Sequence, residues 1–165
     1  MSGFAELTIR ELKEKYLNAI CDLKTERDEV TIIINLEDIA KVCKFLQGNK
    51  DLAYDYLSDL CGVDYLGQNP RFEVVYHLYS MKNKGRIRLK VRVPEGAAVP
   101  SVTSIWRGAN WDEREVFDMF GIEFSGHPEL SRILMPDDWE GHPLRKDYPL
   151  EGYTPPKWNK ADRPW

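Results

Sequence analysis

The chain has 165 residues, 42% hydrophobic and 30% charged; this suits one globular domain with its own core and argues against a disordered chain. Asp and Glu outnumber Lys and Arg by 27 to 23, for a net charge of −4, which argues against a broad nucleic-acid surface but leaves room for a local basic patch. The N-terminus has no apolar secretory segment and no run approaches the roughly 18 apolar residues of a membrane helix, so membrane association is expected only through a partner or an interfacial face.

Residues 8–20 predict a helix, with Thr8 as N-cap, Glu11 completing a capping box, and Leu12, Tyr16, Leu17 and Ile20 as the apolar stripe. Residues 30–35, VTIIIN, are largely β-branched and predict a strand. A helix over 36–46 gathers Leu36, Ile39, Ala40, Val42, Cys43 and Leu46 on one side and stops at Gln47-Gly-Asn-Lys. Residues 52–66 alternate in a way that suits a half-buried strand better than a helix, with Gly62 at a bulge. Asp55, Asp59 and Asp64 within them read as strand-end and turn carboxylates rather than an acidic site. Residues 72–80 and 86–93 predict a hairpin. Its second strand turns Ile87, Leu89, Val91 and Val93 one way and Arg86, Arg88, Lys90 and Arg92 the other. That basic face reads first as solvated sheet; an acidic protein surface is preferred to nucleic acid as a partner. Residues 94–100 read as a linker-like turn, and Ser101 as the cap of a short turn ending near Trp106.

Cys21, Cys43 and Cys61 are scattered and form no CxxC pair. They fit neither a disulfide framework nor an iron–sulfur or zinc site, and read as reduced, mostly buried thiols of a cytosolic protein.

Residues 107–149 concentrate charged, aromatic, Gly and Pro residues. A helix is expected from Trp111 to Phe120, with Asn110 and Glu113 as capping box and Gly121 as its left-handed stop. Val116, Phe117 and Phe120 share its apolar face, with Met119 at the edge. Arg114, Glu115 and Asp118 fall on the other face, where Arg114 and Asp118 can pair. Glu113 lies inside the apolar arc, either as the capping-box member or as a carboxylate held for a partner's Arg or Lys. Two His-Pro pairs follow, His127-Pro128 and His142-Pro143, with both histidines in extended or turn segments. An irregular stretch of about forty residues is too long for an idle connection, and its Ile133, Leu134, Met135, Trp139, Leu144 and Tyr148 argue for an interaction surface rather than disorder. The tail from Gly152 onward is proline-rich and should be extended.

No GxGxxG, Walker, GxSxG or HExxH motif is present. His127 and His142 are too far apart on loops to suggest zinc; each is expected to bond backbone and fix its own turn. Glu113 and Glu115 project to opposite sides of a helix and cannot converge on one substrate, and no local group activates Cys43 or Cys61. The residues therefore describe an interaction module. Its expected form is an α+β fold, helices packed on one mixed or mainly antiparallel sheet with one face buried. A core over residues 1–120 is followed by an extended partner-binding arm and tail over 121–165.

The run EREVFDMFGIEFSGHPELSRILMPDDWEGHPLRKDYPLEGY resembles the signature region of the 30-kDa subunit family of respiratory complex I, the C subunits of the bacterial NADH-quinone oxidoreductases. The likeness reaches upstream through Asp64-Tyr65, the 71–78 run RFEVVYHL and Pro100-Ser-Val to Trp106, and covers roughly residues 30–153. Ser131 departs from it, standing where many members carry Lys or Arg. The resemblance implies a peripheral subunit with no catalytic residues, cofactor or metal of its own, on the cytoplasmic face of the inner membrane. Iron–sulfur clusters, NADH and quinone would sit on partner subunits. It would brace the 49-kDa subunit (the D subunit) and the B and I subunits near the quinone site. Contacts are expected at or beside Arg114, Glu115, Asp118, His127, Arg132, Asp137, Trp139, His142, Arg145, Lys146, Asp147 and Tyr148. Related domains occur in membrane-bound hydrogenases and formate hydrogenlyases, and a stand-alone module with a basic β-ribbon is the remaining alternative.

Overall fold

A computed structural model describes residues 3–27 and 29–153. The order is α1 (Gly3–Tyr16), β1 (Ile20–Glu26), β2 (Glu29–Ile34), α2 (Ile39–Gly48), β3 (Tyr56–Asp64), β4 (Phe72–Ser80), β5 (Gly85–Val93), β6 (Ala98–Pro100), α3 (Ala109–Phe120) and β7 (Glu123–Ser125). The first five strands form one sheet in the order β1-β2-β5-β4-β3, parallel only between β2 and β5. The fold is α+β with a mixed sheet, as the sequence leads one to expect. No helix among the described residues is long and apolar enough to cross a membrane.

The hairpin of β4 and β5 organises the core. Ile87, Leu89, Val91 and Val93 are all buried, and they share one apolar cluster with Leu12 of α1, Val42 and Leu46 of α2 and Val116 of α3. The helices therefore cover one face, and alternation sends the four basic residues of β5 to the other.

Several local expectations fail for identifiable reasons. The first helix starts at Gly3, so Thr8 is not its cap but a fully buried interior residue. Its hydroxyl donates to the Phe4 carbonyl at 3.0 Å and meets the Tyr54 hydroxyl at 3.1 Å, a back-bond that lets a good capping residue sit inside a helix. The buried stripe is Ala5, Thr8 and Leu12, while Leu17 is 61% exposed and Ile20 opens β1. Strand β1 has no counterpart in the sequence reading, because a mostly exposed edge strand carries little alternation. The bulge in β3 falls at Ser58 rather than Gly62, which pairs regularly with Val74. Gly62 is needed for a different reason: a Cβ there would stand 2.8 Å from Phe120 and 3.2 Å from Val116 of α3. The 94–100 segment is not only a turn, since Ala98–Pro100 pairs in parallel with Glu123–Ser125. Ser101 does cap, accepting the Thr103 N–H at 3.2 Å. Cys43 is buried and Cys61 half-buried, but Cys21 is exposed. The tail expected to be extended lies, from residue 154 on, outside the described residues.

Candidate partner-binding site

The site is built around α3. Its cap position is Gly108, and no side chain caps it; Asn110 and Glu113 form no capping box. Glu113 is 0% exposed, so it faces no partner either. Its Oε1 accepts the Val102 N–H at 2.7 Å, tying the helix to the preceding turn, and its Oε2 has no bond among the described residues. Burial pushes its carboxyl up to about 7 against the pull of the Val102 N–H. Val116 and Met119 are buried as expected, and Phe117 and Phe120 half-buried.

The other end of α3 shows what the long arm does. A helix leaves its last carbonyls without partners. Gly121, at φ +73°, turns the chain out and its N–H bonds the Phe117 carbonyl at 2.8 Å. The arm then comes back and takes the next three in succession. Nδ1 of His142 donates to the Asp118 carbonyl at 2.9 Å. The Leu144 N–H donates to Met119 at 3.0 Å, and Arg145 Nε to Phe120 at 2.6 Å. The HPLR segment is thus a tertiary C-cap, and Arg145 brings a cation to the negative helix end. Burial lowers the His142 pKa, favouring the neutral ring that donates here.

Asp118 is the second fixed point. The sequence puts it on the outer face beside Arg114, yet it is 0% exposed. The arm folds over that face, which local periodicity cannot reveal. Its Oδ2 accepts the N–H groups of Ile133, Leu134 and Met135 at 3.1, 2.8 and 2.8 Å. Its Oδ1 accepts Arg132 at 2.6 Å. Burial alone would raise its pKa; the Met135 N–H, Arg132 and the Leu134 and Ile133 N–H groups outweigh this and hold it below the usual carboxylate range. Arg132 also donates to the carbonyls of Trp139 and Gly141. Arg114 does not pair with Asp118 but donates to the carbonyls of Ser131 and Arg132 and lies over the Trp111 ring.

A third fixed point joins arm to sheet. Arg71 forks onto Asp64 with two 2.9 Å bonds, reaches Asp147 at 2.6 Å and meets Glu95 at 3.3 Å. Asp64 also accepts the Lys146 N–H at 2.9 Å, and Glu95 accepts Arg145 at 3.0 Å. Asp64 is held below the usual range first by Arg71. Arg71, Asp64 and Glu95 are missing from the sequence-derived site. Asp64 and the run from Arg71 carry the family resemblance, but no local pattern shows that they hold the arm, because Arg71 lies far along the chain from Asp147.

His127 donates through Nε2 to the Asn110 carbonyl at 3.2 Å and accepts the Glu129 N–H through Nδ1 at 3.0 Å, so it fixes its own turn as expected, whereas His142 bonds backbone to cap α3 instead. Tyr148 donates to the Glu140 carbonyl and stacks edge-on with Tyr153. Glu115, Asp137 and Lys146 are exposed. Trp139 is half-buried and its indole N–H has no acceptor among the described residues. No group of three His, Cys, Asp or Glu side chains suited to a metal ion occurs among the described residues. The arm turns Arg132, His142 and Arg145 toward α3 and leaves Asp138, Glu140 and Asp147 exposed as well. It leaves Leu134 at 55% and Leu144 at 54% exposure beside the end of α3, with Leu150 and Tyr153 exposed farther on.

Residues 32–154 match the family described as "Respiratory-chain NADH dehydrogenase, 30 Kd subunit". The chain is 53% identical to the C subunit of the NADH-quinone oxidoreductase of Geobacter metallireducens over 86% of its own length and 88% of the relative's. The same-named protein of Citrifermentans bemidjiense is 54% identical, with 86% and 88% covered. That of a Roseiflexus species is 53% identical, with 86% and 82% covered.

Proposed function

The chain belongs to the 30-kDa subunit family of the respiratory-chain NADH dehydrogenases and is a subunit of an NADH-quinone oxidoreductase; from this we propose that it is a peripheral brace on the cytoplasmic side of the membrane. It holds the 49-kDa-type subunit and the B and I subunits in register near the quinone site, while NADH, quinone and the iron–sulfur clusters sit on those other chains. The observation that carries this is the arm itself. Three fixed points (the HPLR cap, Asp118 and Arg71) rigidify an irregular segment that has few strand or helix bonds of its own. A backbone ordered in this way presents Leu134 and Leu144 to solvent, and such exposed apolar groups beside a polar frame are a docking surface. Preorganisation also lowers the ordering cost of association.

The test is a tagged pull-down from membranes in mild detergent, with the co-purifying chains identified. Recovery of the 49-kDa, B and I subunits supports the reading. Recovery of nickel-hydrogenase subunits, or of the chain alone from the soluble fraction, overturns it. In the assembled enzyme, Leu134→Asp together with Leu144→Asp should remove the 49-kDa subunit from the pull-down while leaving the chain folded by circular dichroism.

A further inference from the structure

The arm uses the C-terminal end of α3 and the Asp64 end of the sheet. It leaves the face of the sheet opposite the helices without a covering helix among the described residues, although Ile33, Glu73 and Val75 on it are buried by their neighbours. Two grooves cross that face, of 850 and 540 Å³, and meet at Glu29 and Arg88, which line both.

The charges in the larger groove do not balance, whereas those of the smaller one do, Arg86 and Arg88 standing against Glu29 and Asp59. Arg88 is neutralised by Glu29 at 2.7 Å and Lys90 by Glu73 at 2.7 Å. In the larger groove this leaves Lys24, Arg27 and Arg92 facing only Glu26, with Lys24 at 3.8 Å from Asp22 at the rim. Arg92 is exposed and has no hydrogen bond or ion pair among the described residues. The same holds for Arg86, which lines the smaller groove across from Asp59 and beside the exposed Tyr56 and Met81. A local cationic excess on a chain of net charge −4 calls for anions from elsewhere.

Spacing narrows the ligand. Arg86 and Arg92 stand six positions apart on β5, or about 20 Å at strand rise, so no single small anion reaches both. A nucleic-acid backbone would want the intervening positions cationic as well, and there Arg88 and Lys90 are already neutralised. Carboxylates spaced along an extended polypeptide match cations that are free at the ends and quenched in the middle, and the exposed Tyr56 and Met81 offer apolar contact at the Arg86 end.

We infer that the helix-free face of the sheet docks an extended acidic segment of a neighbouring subunit, with Arg92 and Arg86 as the charge contacts. This surface is separate from the arm, and the inference rests on the chain's place in an assembled enzyme.

The test uses the assembled enzyme purified through a tag on an R92K variant and treated with a zero-length carbodiimide, which joins an amine only to a carboxylate in direct contact. The expected product is an amide bond between position 92 and an Asp or Glu of another subunit, located by mass spectrometry. Coupling only to Glu26, Glu29 or Glu73 of the same chain overturns the inference, as does no coupling at that position. R92E should be lost from the complex during salt washing about tenfold faster than wild type, with R92K close to wild type. Equal retention of all three would also overturn it. Salt-sensitive retention of an oligoribonucleotide by the wild-type chain, abolished in R92E, would assign the face to nucleic acid instead. If the wild-type chain brings down no other subunit, it is the proposed function that fails, and the two failures are thereby distinguished.

Discussion

Replacing Asp118 with Asn removes one charge and almost no volume, so it isolates the electrostatic role of the arm's central anchor. The carboxylate is 0% exposed and accepts four hydrogen bonds, from Arg132 at 2.6 Å and from three consecutive backbone N–H groups. An amide has one acceptor oxygen, and its NH2 must point at a donor: at Arg132 if the oxygen serves the backbone, at the backbone if it serves Arg132. Either way a buried group loses its partner. Removing one member of a buried ion pair costs about 3–5 kcal/mol. Arg132 keeps its bonds to the Trp139 and Gly141 carbonyls and is 17% exposed, so the lower end, about 3 kcal/mol, applies. Because Asp118 titrates below its ordinary value in the fold, its contribution is full above the unfolded-state pKa and disappears as pH falls through the folded one. The difference between D118N and wild type should therefore be largest at neutral pH and shrink below about pH 4. Urea denaturation gives the magnitude. Amide exchange at Ile133, Leu134 and Met135 gives the location, since those N–H groups lose their acceptor. If D118N lies within about 0.5 kcal/mol of wild type at pH 7 and protection at these three amides is unchanged, the anchor is not what holds the arm.

Arg71→Ala and Asp147→Asn should separate sharply in the same denaturation assay. The first strands the buried Asp64 and should cost about 3–5 kcal/mol, whereas Asp147, 48% exposed, should cost no more than about 1 kcal/mol; equal costs would refute the hierarchy. Gly62→Ala places a methyl against Phe120 and Val116 and should lower stability by about 1–3 kcal/mol by forcing α3 off β3, a loss that the double variant Gly62→Ala, Phe120→Leu should partly recover. Glu113 acts against Asp118 in its pH dependence. Burial raises its carboxyl from an ordinary 4.5 to about 7 in the fold, so on raising the pH the unfolded chain gives up the proton first and stability falls across that window, by about 3 kcal/mol in all. E113Q should abolish that fall, and matching stability–pH curves for E113Q and wild type between pH 5 and 8 would disprove it.

Regular elements with a strong local period were legible from the residues alone. Strand β5 alternates along its length and pairs with a β4 rich in β-branched and aromatic residues, and α2 carries its stripe on one side, so 2- and 3.6-residue periods suffice to find them. Apart from the exposed edge strand β1, several misreadings share a cause: they concern residues whose partners lie far along the chain. Thr8 looks like a cap until Tyr54 supplies its second bond. Asp118 looks solvent-facing until the 131–135 segment closes over it, and β6 looks like a turn until β7 pairs with it. Arg71 stands out only as the first residue of a run shared with the family and nothing beside it shows its role, although it holds Asp147 and Asp64 together.

The arm shows where a physical reading of sequence can reach further. Charged and histidine residues in a long irregular stretch are easily taken for outward contacts, because loops lie on surfaces. A helix that stops at Gly121, however, must find donors for its final carbonyls. A following segment with no regular structure, containing His142 and Arg145 around a proline, is a supply of such donors. Counting those carbonyls before assigning the charges turns His142 and Arg145 toward the helix end. The polar signature of this region then describes how the arm is held in shape, and the apolar residues between its motifs describe what that shape presents to a neighbour.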